Sequence, residues 1–201
     1  MPDLVGFWAN AEDAERFFHG DAAVNHALRR LVDALDGSLI PYAIVGAMAL
    51  NEHGYRRVTT QIDVLLTADG LARFKAQWVG RGYLEKFPGS KGLRDTENGV
   101  SIDVLLAGDF PGDGKPKPVV LPDPASVATR TEHGAFLPLA LLLELKLASG
   151  LSAAHRLKDL ADVLETIRAT GCPRTLGEQL DPSVRPKFFE LWDAAQFQEP
   201  E

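Results

Sequence analysis

The order of elements predicts an α+β protein, with a β-sheet built first and a lobe of helices after it. Three observations carry this. The pentapeptide Ile-Asp-Val-Leu-Leu occurs twice, at 62–66 and 102–106, each copy a short apolar run of strand character. The dipeptide Asn98-Gly99 stands just before the second copy and is the strongest short-range hairpin signal. Beyond Val127 the pattern turns helical, with apolar periodicity over 139–149, 153–169 and 182–195. The expected organisation is a sheet core with an N-terminal helix over 1–125 and a helical lobe packed on it over 126–201.

The first helix spans about 22–35, where Val24, Ala27, Leu28, Leu31 and Leu35 share one stripe. Asp21 is its N-cap and Gly37 lies just past its end. Tyr42 to Val45 reads as a short strand ending at Gly46, and a short helix follows to about His53, stopped by Gly54. The first pentapeptide strand comes next, then a helix over 69–79 with Leu71, Phe74, Lys75 and Trp78 at helical spacing. The stretches 83–87 and 93–97 and the second pentapeptide form an antiparallel meander. The loop at 110–118 holds three prolines and two glycines, and it reads as surface rather than as a linker. In the C-terminal helices, Leu157, Leu160, Ala161, Leu164 and Ile167 are the expected buried stripe of one. Val184, Phe188, Leu191, Trp192 and Ala195 are that of the last.

Composition sets limits on function. With 45% hydrophobic and 24% charged residues in 201, the chain can bury a full core. A balance of 21 basic against 28 acidic residues, net −7, argues against general affinity for nucleic-acid phosphates. Lys86, Lys91, Arg94, Lys115 and Lys117 are interspersed with Glu85, Asp95, Glu97 and Asp113, so they make a weak case for a nucleic-acid surface. Cys172 stands alone, which removes any intrachain disulfide, and the five histidines show no metal-ligand spacing with it. The start has no basic-then-apolar leader pattern, and the longest apolar run is too short to cross a bilayer. The expectation is a cytoplasmic protein with no membrane contact.

Each pentapeptide places one carboxylate in an apolar strand. Side chains alternate between faces, so Gln61, Asp63 and Leu65 oppose Ile62, Val64 and Leu66, and Ser101, Asp103 and Leu105 form the matching set. A carboxylate there is costly unless paired, hydrogen-bonded or bound to a cation. Two such strands in one small domain predict that Asp63 and Asp103 converge, and a divalent cation is the simplest reason. Upstream, a strand ending in Gly46 and opening a helix at Ala47 presents free backbone N–H groups suited to phosphate oxygens.

The segment from Tyr42 to Leu106 resembles the signature of the nucleotidyltransferase superfamily related to DNA polymerase β. It is most similar to the small bacterial branch that includes AbiEii-type toxins. Gly46, Ala49, His53-Gly54, Arg57, Thr59 and Asp63 fall on the pattern, and Asp103 falls on its third carboxylate. The likeness runs on, more loosely, through 143–148 and 156–162. It implies a mixed sheet flanked by helices and transfer of a nucleoside monophosphate from a nucleoside triphosphate. Asp63 and Asp103 are then metal ligands and catalytic groups for Mg2+ or Mn2+. Gly46, Ala47, Arg57, Thr59 and Lys146 bind substrate phosphates. The acceptor is an RNA end, a protein or a small molecule, and a toxin role implies an antitoxin partner.

Two positions depart from the family. Ala47 replaces the usual second glycine or serine, which removes a hydroxyl only. Gln61 replaces the first aspartate of the pair, so that metal position is degenerate, and a catalytically inactive binding module is the alternative reading. Glu52 and Asp69 are the nearby carboxylates that could compensate. Other readings stay open at single residues. Arg57 serves phosphate or holds an acidic residue in the same loop. His53 is more simply helix-terminal than a ligand. Lys146 reaches phosphate or snorkels from the core edge. Arg156, Lys158, Asp159 and Asp162 fit a solvated, ion-paired helix face, with Lys158 and Asp159 raised by the resemblance toward positioning the lobe.

Overall fold

The computed structural model describes residues 22–197, and the expected cap Asp21 lies outside them. Helix α1 (22–37) buries Val24, Ala27, Leu28, Leu31 and Leu35, the stripe its spacing predicts. It runs through Gly37 instead of stopping before it. The reversal is made by Leu39, the one described non-glycine residue with positive φ, at 53°. Leu39 N–H donates to the Asp36 carbonyl and Ile40 N–H to that of Leu35, each at 3.0 Å. These are the paired bonds of a Schellman ending, and the residues flanking it, Leu35 and Ile40, are both buried.

Seven strands form one mixed sheet: β1 (Ala43–Val45), β2 (Gln61–Leu66), β3 (Tyr83–Glu85), β4 (Leu93–Asp95), β5 (Ser101–Leu106), β6 (Thr129–Thr131) and β7 (Gly134–Phe136). Their order is β3-β4-β5-β2-β1-β7-β6. The two pentapeptide strands, β2 and β5, lie side by side in parallel at the centre, with Ile62 against Ile102 and Asp63 against Asp103. Parallel strands need a crossover, and α3 (Ala68–Trp78) with the β3–β4 hairpin supplies it. The Asn98-Gly99 turn joins β4 to β5 as predicted, and Asp95 N–H donates to Val100 O at 2.9 Å across it. On the other side β1 runs antiparallel to β2, with Val45 opposite Asp63.

The chain after Val127 departs from its helical expectation. β6 and β7 form a hairpin, and β7 adds parallel to β1 through Ile44 and Phe136. These strands are three residues each, too short for a period-two pattern to show in sequence. After the short helices α2 (Gly46–Glu52) and α4 (Pro124–Val127), three long ones follow: α5 (Leu139–Ser152), α6 (Leu157–Thr170) and α7 (Arg185–Ala195). The helix expected over 153–169 is split, since 154–156 is a separate 3-10 turn before α6.

The buried face of α6 is turned from the expected stripe: Ile167 is buried and Leu160 packs against the core, but Leu157 and Ala161 are exposed. Leu157 is 66% exposed, whereas Asp162, Val163, Thr166 and Ile167 are buried. With Asp159, those residues keep helical spacing as well as the apolar set did. A partner ammonium on α5 makes burial of the carboxylates tolerable, and periodicity alone cannot see it. Val184 and Phe188 of the last helix are buried as predicted, with Leu191, Trp192 and Ala195 packed partly against the core. No helix among the described residues is long and apolar enough to cross a membrane.

Candidate active site

Register decides the geometry of the carboxylates. Directly paired residues of adjacent strands point to the same face, so the Asp63 and Asp103 pairing brings their side chains together. The Gln61 amide joins them. Its Nε2 donates to Asp63 Oδ1 at 3.3 Å and to Asp103 Oδ2 at 3.0 Å. Only the nitrogen end of the amide can face two carboxylates without repulsion. Thr59 shapes the entry to this strand, its hydroxyl donating to Gln61 O at 3.0 Å and accepting from Gln61 N–H at 3.3 Å.

Asp63 also lies directly beneath Gly46. Because Val45 ends β1 opposite Asp63, the next residue turns over that carboxylate. Gly46 adopts φ +62°, and a Cβ built there would fall 2.0 Å from Asp63 Oδ2. The glycine is therefore required both by its left-handed backbone and by the carboxylate below it.

These residues form one end of a cleft of ≈ 470 Å³. Gly46, Ala47, Arg57, Thr59, Gln61, Asp63 and Lys146 all line it, so the sequence-predicted site converges except at one residue. Asp103 is not part of the cleft wall. It joins through Gln61 and through an ion pair to Lys86, on the side of β5 next to β4. The rest of the wall divides by chemistry, with Arg156, Lys158 and Asp159 at the charged part and Leu105, Leu121, Leu142 and Leu145 as aliphatic surface.

Lys146 neither snorkels nor waits free. It is 8% exposed, and Nζ donates to Asp162 Oδ2 at 2.7 Å and to Asp159 Oδ1 at 3.3 Å. Arg57 Nη1 donates to the same Asp162 oxygen at 2.5 Å, so it holds an acidic residue of α6 and not of its own loop. Asp159 further accepts from Ser149 Oγ at 2.7 Å and Arg156 Nε at 3.0 Å. Burial alone would raise the Asp159 pKa, but the Ser149 hydroxyl and the Lys146 and Arg156 charges outweigh it and hold it low. The reading of Asp159 and Asp162 as a solvated face is thus corrected: this network ties the strand-entry loop to the helical lobe.

His53 takes its simpler role, with Nε2 donating to the Leu137 carbonyl at 2.8 Å. Glu52 pairs with His133 at 3.0 Å and lines a different cavity, and Asp69 is exposed in the first turn of α3. Neither replaces the carboxylate missing at Gln61. Two of the scattered lysines are ion-paired outside the site, Lys91 with Asp109 at 3.0 Å and Lys117 with Asp113 at 2.6 Å. Sequence reasoning missed Asp162 and Lys86 as parts of the site. The spacing of Asp159, Asp162, Val163, Thr166 and Ile167 could have signalled the first, but nothing local signals the second.

Burial first, then the adjacent Asp103 charge, pushes the Asp63 carboxyl above the ordinary aspartate range, against the pull of Gln61, Lys146 and Arg57. The native state therefore binds this proton more readily than the unfolded chain. Stability is lost as pH rises from the ordinary aspartate value through the raised one. Asp63→Asn is accordingly expected to melt higher than wild type at about pH 7, with the difference closing by about pH 4. Thermal melts across that range check it, and equal melting temperatures throughout would contradict the shift.

Asp63 and Asp103 are oxygen donors of the kind a hard cation takes when substrate phosphates complete its shell, and the Gln61 amide, which turns its nitrogen to them, would have to turn its carbonyl round to join. Among the described residues no group of three His, Cys, Asp or Glu side chains is arranged to hold a metal.

The mixed sheet flanked by helices, with paired carboxylates on adjacent parallel strands, has a nucleotidyltransferase-like fold. Among solved structures the chain is similar to ANT(2″)-Ia in complex with adenylyl-2″-tobramycin. That match has a TM-score of 0.52 at 12% identity, over 86% of this chain and 96% of that one. The solution structure of ANT(2″)-Ia aligns with a TM-score of 0.44 at 12% identity, over 87% and 90% of the two chains. A candidate nucleotidyltransferase from H. pylori aligns at 0.43 and 16% identity, over 86% and 92%. At such identities the likeness is one of fold, and it rests on the first match. No protein-family model matches the sequence, and no curated protein does.

Proposed function

We propose that this protein transfers a nucleoside monophosphate from a nucleoside triphosphate to an acceptor hydroxyl. The observation that carries the reading is the side-by-side pairing of Asp63 and Asp103 beside a cleft that is cationic in one part and aliphatic in another. Arg57, Lys146 and Arg156 outnumber the carboxylates Asp159 and Asp162 that they hold, so with Lys158 they leave net positive charge for phosphates, and the leucine wall offers a surface for base and ribose. In the reaction the acceptor oxygen bonds to the α-phosphorus, the bond to the β-phosphate oxygen breaks, and pyrophosphate leaves. Asp103, the more exposed carboxylate, accepts the hydroxyl proton. A magnesium or manganese ion held by Asp63 and Asp103 beside Gln61 would neutralise charge on the phosphoryl oxygens. Gly46 and Ala47 let the backbone come close to the phosphates.

One observation favours a second reading. Gln61 lacks the charge its position carries in active relatives of this fold, and it bridges the two carboxylates as a donor. A module that binds nucleotide without turnover would look the same. The two are separated by incubating the protein with each labelled nucleoside triphosphate, Mg2+ or Mn2+, and total RNA, lysate protein or pooled small hydroxyl compounds. Label transfer that is lost in Asp63→Ala supports the enzyme. A silent wild type with transfer appearing in Gln61→Asp supports the module. No nucleotide binding in either protein overturns both.

A further inference from the structure

The β3–β4 corner holds a group that the proposed reaction does not use. Lys86 directly follows β3, the edge strand, and its Nζ is ion-paired with Asp103 Oδ1 on β5, two strands inward. To get there its side chain passes over Gly92, the residue before β4. A Cβ built on Gly92 would stand 2.9 Å from Lys86 Cδ and 3.2 Å from Cε. Gly92 is outside the left-handed region, so backbone freedom does not explain a glycine there, whereas passage of the lysine stem does. Both Asp103 oxygens consequently have donors, Oδ1 from Lys86 and Oδ2 from Gln61.

We infer that Lys86 is a tethered counter-cation for Asp103 that competes with a divalent ion for the carboxylate pair. A hard cation ligated by Asp103 must displace the ammonium or share an oxygen with it, and two positive charges at that distance repel. The side chains of Lys86 and Asp103 are 31% and 41% exposed, so water screens the pair and the ammonium can be displaced. Lys86 is thus a positioning residue. It keeps Asp103 in place and compensated until a cation arrives with the charge of a triphosphate behind it. Gln61 and Lys86 together bring an amide and an ammonium to a pair that has no carboxylate at position 61.

The inference rests on reading the pair as a cation site, and a titration separates the two ideas. Mn2+ binding to wild type, Lys86→Ala and Gly92→Ala is followed by electron paramagnetic resonance without nucleotide, and the melting temperature of each is measured with and without Mn2+. The expected result is about three- to tenfold tighter Mn2+ binding in Lys86→Ala and a smaller gain in Gly92→Ala. Mn2+ should also raise the melting temperature of both variants more than that of wild type. Adding Asp103→Asn to Lys86→Ala should erase the gain. Equal affinities in all three proteins overturn the role of Lys86 and leave the cation site standing. No Mn2+ binding in either variant overturns the site itself, and the inference with it.

Discussion

Replacing Gly46 with alanine is expected to abolish label transfer while weakening the fold. The left-handed backbone costs a β-carbon about 1–3 kcal/mol. The new methyl group would meet the Asp63 carboxylate at 2.0 Å, so one of them must move. Moving the turn displaces the phosphate approach, and moving Asp63 breaks its alignment with Asp103 and Gln61. A misplacement of this order costs about 100-fold in rate when the geometry is catalytic. Urea melts and transfer assays on the purified variant check both effects. Wild-type transfer in Gly46→Ala would mean that Asp63 takes no part in the chemistry.

Asp162→Ala is expected to produce the largest loss of stability of any single change at the site. Asp162 is 4% exposed and accepts from both Lys146 and Arg57. Removing it leaves a buried ammonium with only Asp159, at 3.3 Å, and an arginine facing a hole. Stripping one partner from a buried pair costs about 3–5 kcal/mol, because the surviving charge is left without compensation. The control is the double variant Lys146→Met with Asp162→Leu, which removes both charges and should regain most of that loss. Denaturant midpoints of the two proteins decide the matter. A double variant no more stable than Asp162→Ala would show that packing, and not charge, is what Asp162 supplies.

The contrast between these residues shows where reading the sequence stops working. Gly46, Gln61, Asp63 and Asp103 are legible because strand alternation fixes their faces and the echoed pentapeptide puts the two strands in the same phase. The stripe of α1 and the Asn98-Gly99 hairpin are legible for the same local reason. The phase of α6 is not. Two overlapping helical stripes compete there, sharing Ile167, and the apolar one gives way at Leu157 and Ala161 because Lys146, on another helix, makes a carboxylate-bearing face the better one to bury. The β6–β7 hairpin escapes too, since its short strands gain their partners only when β7 meets β1.

What the amino-acid order determined by itself is the periodic part of the protein: the α+β succession, the carboxylate-bearing strands and the glycine turn that stands over one of them. Only the tertiary structure decided which charges neutralise which, because Lys146, Arg57 and Lys86 find their partners across 16, 105 and 17 residues of chain respectively. Side-chain periodicity is a property of the local backbone and survives in the sequence. Compensation of buried or crowded charge is a property of distance in space, and the sequence holds no measure of that until the strands and helices have packed.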